Sequence, residues 1–243
     1  MSVLPELVTD VLNTIASDTA NILCVISGRE KSLMERKYGH IRNIYIAAEN
    51  GYYYACNNKD QECVFNRFMN VKDWGWKEAV VLDIIKSYKE RIYGSFIEIK
   101  DSSIRWFYKG VDTDFGIKES NELVADLENL LKNLPLEIVH EKDYVEVRLI
   151  GADKETFTKQ FLEAYEKNRG MPDFILCIGD SRGDEGIFKV AKEYAKKDLL
   201  KNVFCITVGE KMSLADYYVS DSSEVAANLA EIVRSSIEVS FLY

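Results

Sequence analysis

Proline, histidine and tryptophan are scarce in this chain, at 3, 2 and 3 of 243 residues. So little proline excludes a proline-rich spacer between modules. The two histidines, His40 and His140, have no partner motif, which removes the usual imidazole-based metal signatures. No run of 18 apolar residues is present and no apolar leader opens the chain, so neither a membrane span nor a secretory signal is expected. Basic charge is also short. Lysine and arginine total 31 against 40 acids, a formal charge of −9 and a pI near 5.0. That balance argues against nucleic acid or an anionic membrane as the main partner. It leaves room for a local basic pocket around a phosphate. The five cysteines, Cys24, Cys56, Cys63, Cys177 and Cys205, show neither metal-ligand spacing nor a disulfide framework, and three of them lie in apolar strand-like runs. The expectation is a reduced, cytoplasmic protein.

What is present is globular: 47% hydrophobic and 29% charged residues, with length enough for a sizeable core. Leu7, Val8, Val11, Leu12 and Ile15 have helical spacing, with Pro5 near the first turn. Asn21–Ile26 reads as a buried strand, Lys31–Tyr38 as a helix and Ile44–Ala48 as a second strand. This alternation is that of a doubly wound parallel sheet. The middle differs. Glu78–Tyr88 reads as a helix, and Phe96–Ile99 and Ile104–Tyr108 as a hairpin around Asp101-Ser102-Ser103. Ile117–Leu134 reads as a long amphipathic helix with Leu123, Leu127, Leu130 and Leu131 on one face. Leu136–His140 and Tyr144–Leu149 read as a second hairpin. The block has the order αββαββ. After Gly151 the first cadence returns: helix 156–168, strand 174–178, helix 185–197, strand 203–208, strand 217–219 and helix 223–235. The expected organisation is a core in two parts, residues 1–75 and 153–243, interrupted by a cap at 76–152.

The richest stretch is Cys177–Phe188. An apolar strand stops at Gly179-Asp180, and a second acid, Asp184, follows before a helical pattern begins. Two carboxylates at the C-terminal edge of a sheet suit Mg2+, which takes hard oxygen ligands, and such a metal suits phosphoryl chemistry. The plainer reading is a surface loop whose acids cap a helix. Ser27-Gly28-Arg29 follows an early strand. Its hydroxyl and backbone N–H groups can hold a phosphate oxygen, or form an ordinary turn with Ser27 as a cap. Lys154 opens the returning core, where it can reach a phosphate or lie on a solvated surface. Glu185 is a further acceptor beside the acids or a first-turn helix acid.

In chain order, strand–Ser-Gly-Arg, an inserted cap, a lysine and Gly-Asp-x-x-x-Asp resemble the haloacid dehalogenase superfamily of aspartyl-phosphate hydrolases. Ile26-Ser-Gly-Arg29, Ala47-Ala-Glu-Asn-Gly51, Gly94–Lys100, Asp112-Thr-Asp-Phe-Gly116, Val145-Glu-Val147, Cys177–Phe188 and Val208–Tyr218 are similar to trehalose-6-phosphate phosphatase domains, nearly end to end. The nearest likeness is to the phosphatase-like domain that follows a synthase domain in plant-type proteins. The resemblance implies an α/β fold: a haloacid dehalogenase-like Rossmannoid parallel-sheet core with an inserted α+β (αββαββ) cap. It implies Mg2+ on Asp180 and Asp184, a phosphate-binding Lys154, the hydroxyl of Ser27 with Arg29 beside it, and sugar contacts from Glu98, Lys100 and Glu146. The implied ligand is trehalose 6-phosphate or a related sugar phosphate. The implied neighbour is a trehalose-6-phosphate synthase domain.

The superfamily's first motif, a strand ending Asp-x-Asp-Gly-Thr, supplies the nucleophile and the general acid/base. It precedes the first helix, which is where this chain begins. The nearest local string, Asp10-Val-Leu-Asn-Thr14, lacks the second acid and a preceding strand, so Asp10 is expected on a helix surface. Asn50, Phe107, Lys109 and Glu155 also depart from the family pattern, each removing a donor or crowding a site. The expectation is therefore a phosphatase-like domain that is inactive or incomplete over these residues. The alternatives are a non-catalytic regulatory module that binds sugar phosphate or docks on a synthase domain, and a phosphatase for another sugar phosphate. The missing strand would leave two core strands unpaired. The apolar Ile237–Tyr243 is a candidate to fill that place.

Overall fold

The computed structural model describes residues 5–57, 63–68, 75, 77–111, 113–197 and 202–240. The chain divides into two compact units, Met1–Phe68 with Asp153–Tyr243, and Met69–Ala152. In the first unit, α1 (Glu6–Ser17) buries Val11, Leu12 and Ala16, one face of its apolar pattern, while Leu7 is exposed a turn earlier. β1 (Leu23–Ile26), α2 (Lys31–Tyr38) and β2 (Ile44–Ala48) follow, with β1 and β2 parallel. β3 (Tyr53–Cys56) turns back antiparallel on β2, and β4 (Asn66–Arg67) pairs β3. The reversal runs through three successive left-handed residues, Glu49, Asn50 and Gly51, at φ 49°, 60° and 99°. Glycine is required at the last. A Cβ there would lie 2.4 Å from Cβ of Phe157.

In the second unit, α3 (Leu82–Arg91) is followed by β5 (Phe96–Ile99), β6 (Ser103–Phe107), α4 (Thr113–Leu131), β7 (Leu136–His140) and β8 (Tyr144–Leu149). The strands form one antiparallel sheet in the order β5-β6-β8-β7. Ile104, Trp106, Val145 and Val147 are wholly buried beneath α3 and α4. On α4, Leu123, Leu127 and Leu131 face inward, but Leu130 is 47% exposed, because only the i, i+4 series holds one face. A single π turn, Lys77–Val81, leads into α3.

The chain then re-enters the first unit with α5 (Lys154–Arg169), β9 (Ile175–Gly179), α6 (Glu185–Lys197), β10 (Val203–Val208), β11 (Tyr217–Val219) and α7 (Ser222–Ser240). Phe188, Val190, Ala191 and Tyr194 of α6 pack with Ile175 and Cys205. β9, β10 and β11 are parallel.

The core is α/β, but its strands make two sheets, β1-β2-β3-β4 and β11-β10-β9. Among the described residues no strand joins β1 to β9. β1 and β9 each stand at an edge of their sheet, within the same unit. Leu-Cys-Val-Ile of β1 is apolar throughout yet only half-buried, as expected for a strand without its outer neighbour. The C-terminal segment does not take that place. α7 continues to Ser240, so Ile237–Ser240 is helical, and 241–243 lie outside the described residues. Residues 222–240 keep an amphipathic helical pattern, which prevails over the local β preference of Ile237 and Val239.

Candidate functional site

β9 delivers Gly179 and Asp180 to the C-terminal end of its sheet, and a 3-10 turn, Arg182–Asp184, leads into α6. Ser181 and Asp184 cap that turn reciprocally. Asp184 is 4% exposed. Its Oδ2 accepts from the backbone N–H of Asp180 (3.1 Å), the N–H of Ser181 (2.9 Å) and the Ser181 hydroxyl (2.7 Å). Its Oδ1 accepts from the Lys154 ammonium at 2.6 Å. Burial works against ionisation of this carboxyl, but the Lys154 charge and the hydrogen bonds from Lys154 and Ser181 outweigh it. They hold the pKa below the usual carboxylate value. Gly179 makes the arrangement possible, since a Cβ there would lie 2.4 Å from Cβ of Asp184.

Lys154 is the first residue of α5, whose N-cap, Asp153, accepts from the N–H of Thr156 at 2.8 Å. Helix start and loop are thus tied through one ion pair. The next residue, Glu155, turns toward α6, where it pairs with Lys189 at 2.6 Å and packs against Gly186. Asp180 is exposed, and its carbonyl accepts from Lys211. Glu185 accepts from the Ser213 hydroxyl and the Leu214 N–H, both at 2.7 Å, anchoring the loop before β11. Ser27 turns inward on its own loop, its hydroxyl accepting from the N–H of Arg29 at 3.3 Å. The Glu49-Asn50 turn braces that loop, with N–H groups donating to the carbonyls of Arg29 and Ser27. Asp10 is exposed on α1.

In the second unit, Glu98, Arg105 and Glu146 stand opposite one another on β5, β6 and β8. Arg105 Nε donates to Glu146 Oε1 at 2.7 Å, and its guanidinium lies 3.6 Å from Glu98 Oε2. Lys100 pairs with Glu98 at 2.9 Å. Burial disfavours the Arg105 charge, but Glu146 more than compensates and raises the pKa of the guanidinium. Glu146, 2% exposed, therefore has the partner a buried carboxylate needs.

The structure joins Lys154 to Asp184, and Glu98 to Lys100. Two further residues complete these groups without having been singled out from sequence, Ser181 and Arg105. Both left a trace there. Ser181-Arg-Gly-Asp184 has capping-box spacing, and a hairpin of 96–99 with 104–108 sets Glu98 opposite Arg105. Among the described residues no three His, Cys, Asp or Glu side chains converge in a way that could hold a metal ion.

Comparison with known proteins gives one consistent family. The trehalose-phosphatase family model matches residues 2–223. A probable alpha,alpha-trehalose-phosphate synthase [UDP-forming] 7 of Arabidopsis thaliana is 32% identical over 94% of this chain and 27% of its own length. Alpha,alpha-trehalose-phosphate synthase [UDP-forming] B of Dictyostelium discoideum is 35% identical over 93% of this chain and 27% of its own. The chain thus spans about a quarter of the length of these relatives. The C-terminal domain of C. albicans trehalose-6-phosphate phosphatase superposes with a TM-score of 0.81 at 25% identity, covering 95% of this chain and 85% of that one.

Proposed function

The chain belongs to the trehalose-phosphatase family, and from that premise we propose that residues 1–243 form a trehalose-6-phosphate phosphatase-like domain of trehalose biosynthesis that holds a sugar phosphate without hydrolysing it unaided. The observation that carries this reading is the state of Asp184. Both of its oxygens are engaged and Lys154 keeps it ionised. A carboxylate so committed braces a loop rather than attacking phosphorus. In this reading the brace fixes the Gly-Asp loop by holding the N–H groups of Asp180 and Ser181, and the Ser27 hydroxyl and Arg29 supply donors to phosphate oxygens. Lys154 supplies positive charge. Glu98, Lys100 and Glu146 accept from and donate to sugar hydroxyls.

The residues suit Mg2+ in a limited way. Asp180, which is exposed, is one hard ligand, while both oxygens of Asp184 already accept hydrogen bonds. Magnesium commonly takes one or two protein carboxylates, with water and phosphate oxygens completing its shell. When bound it neutralises phosphate charge and polarises the phosphoryl oxygen. Hydrolysis through an aspartyl-phosphate needs a further carboxylate as nucleophile and a second as proton shuttle.

The test is calorimetry with trehalose 6-phosphate beside a phosphate-release assay in Mg2+. Binding is expected, weakened roughly tenfold by Lys154→Ala, a loss of ~1.4 kcal/mol, with no release above background. Turnover that Asp180→Ala abolishes would overturn the non-catalytic half of the reading. A second reading is a regulatory module docked on a synthase domain. It draws on the synthase names of relatives about four times longer than the match. Binding of a separately expressed synthase domain in the absence of sugar phosphate would favour it. A panel of other sugar phosphates tests a change of substrate.

A further inference from the structure

The loop between β10 and β11, residues 209–216, is anchored on both sides of one lysine. At its start Gly209 takes a left-handed turn, at φ 84°, and its N–H donates to the Val219 carbonyl at 2.7 Å. Past the lysine, the Ser213 hydroxyl and the Leu214 N–H both donate to Glu185, in the first turn of α6. Asp216 then pairs with Lys192 of α6 at 2.6 Å, and its N–H donates to the Cys205 carbonyl at 2.8 Å. The segment so held carries Lys211 to the C-terminal end of β9, where its ammonium donates to the Asp180 carbonyl.

Lys211 differs from the lysines around it in what it binds. Lys154, Lys189 and Lys192 are each paired with a carboxylate, of Asp184, Glu155 and Asp216. The acceptor of Lys211 is a neutral carbonyl, and it makes no ion pair among the described residues. The charges on the Gly-Asp loop give that difference a consequence. Asp184, 2.6 Å from Lys154, largely compensates the Lys154 ammonium, and the exposed Asp180 adds a negative charge of its own. A phosphate at this loop is therefore opposed by Asp180 unless a further cation stands beside it. The cation best placed is one with no carboxylate to give up. An ammonium carries three donors on a flexible four-carbon stem, so the exposed Lys211 can keep the Asp180 carbonyl and still donate to a phosphate oxygen.

We propose that Lys211 is a phosphate-binding residue, supplying at the Gly-Asp loop the positive charge that Lys154 shares with Asp184. The proposal rests on the sugar-phosphate reading above and adds to it a residue and the loop that carries it. Lys154 braces the loop from the start of α5, and Lys211 meets the ligand from the loop after β10. Glu185 keeps the second of these in place through Ser213 and Leu214.

The experiment is calorimetry on the whole 243-residue protein in the presence of a chelator, so that no divalent cation contributes to the charge. The probes are trehalose 6-phosphate, inorganic phosphate and trehalose. Lys211→Ala is expected to weaken trehalose 6-phosphate and phosphate about tenfold each, and to leave trehalose affinity as it was. Lys211→Arg keeps the charge and is expected to restore most of both losses. Since the side chain is exposed, both variants should melt with the unaltered protein, whereas Lys154→Ala, which strands the enclosed Asp184, should melt earlier. Undiminished phosphate binding in Lys211→Ala overturns the role of Lys211 alone, as does a loss that Lys211→Arg fails to restore or that trehalose shares equally. A folded protein that binds neither trehalose 6-phosphate nor phosphate overturns the sugar-phosphate reading and the role of Lys211 together.

Discussion

In the second unit Trp106, Val145 and Val147 of adjacent strands are wholly enclosed, whereas β1 of the first unit, with an equally apolar sequence, is half-exposed along its length. The difference lies in pairing. β6 and β8 each have a strand on both sides, while β1 and β9 end two separate sheets of one unit. Apolar sequence makes a strand, but neighbours on both edges make it a core. The second unit has satisfied that requirement within itself, and the first has not satisfied it among its described residues.

Truncating Trp106 to alanine is expected to cost about 4 kcal/mol, while Val25→Ala on β1 costs about 1 kcal/mol, since a half-buried side chain loses less. Denaturant titration followed by circular dichroism measures both, and equal costs would break the comparison. Asp184→Ala comes next, at about 3 kcal/mol, because it leaves the Lys154 ammonium enclosed without its partner. Asp184→Asn separates shape from charge and should lose less. Hydrogen exchange sharpens the contrast: the paired amides of β6 and β8 should exchange on the order of 100-fold more slowly than the outward amides of β1 and β9. Similar protection would mean that something covers those edges in solution.

The smallest effect is in acid. The folded pKa of Asp184 is lowered. Its stabilisation is therefore complete above the unfolded value, near pH 4, and is lost as pH falls through the lower folded value. The stability gap between the protein and Asp184→Asn should be constant from pH 7 to 5 and close below about pH 4. A gap that widens in acid would show that the ion pair is not its source.

The sequence carried the element order well because each element keeps a clean period: Val11, Leu12 and Ala16 on α1, and Leu123, Leu127 and Leu131 on α4. Lys154 stands at a helix start and Asp184 in the loop between β9 and α6, both places the string also marks. What it could not carry was how the donors divide. Asp180 and Asp184 look equivalent in the string, yet Gly179 lets only Asp184 fold back beneath the loop, where Lys154 and Ser181 saturate it. Glu155 looked like an obstruction, but Gly186, thirty-one positions later, makes space for it. The tail misled for the opposite reason. Its last residues are β-prone, but they continue an amphipathic helix already under way. Pairings between distant residues decide such cases, and a single string states them only where hairpin register or capping spacing makes them local.

The unpaired edges have one more consequence, carried by their sulfur atoms. Burial, with Cys56 nearby, pushes the Cys24 thiol up to about 12. A hydrogen bond with Cys205, together with burial, pushes Cys177 up as well. Both are protonated at neutral pH, and a protonated thiol is a poor nucleophile. Both thiols are only half-buried, so an alkylating reagent should reach them but react slowly, through the small fraction present as thiolate. The molecule thus carries its own gauge: any segment that seats itself against β1 and β9 would cover Cys24 and Cys177 and announce its arrival as silence in the mass spectrum.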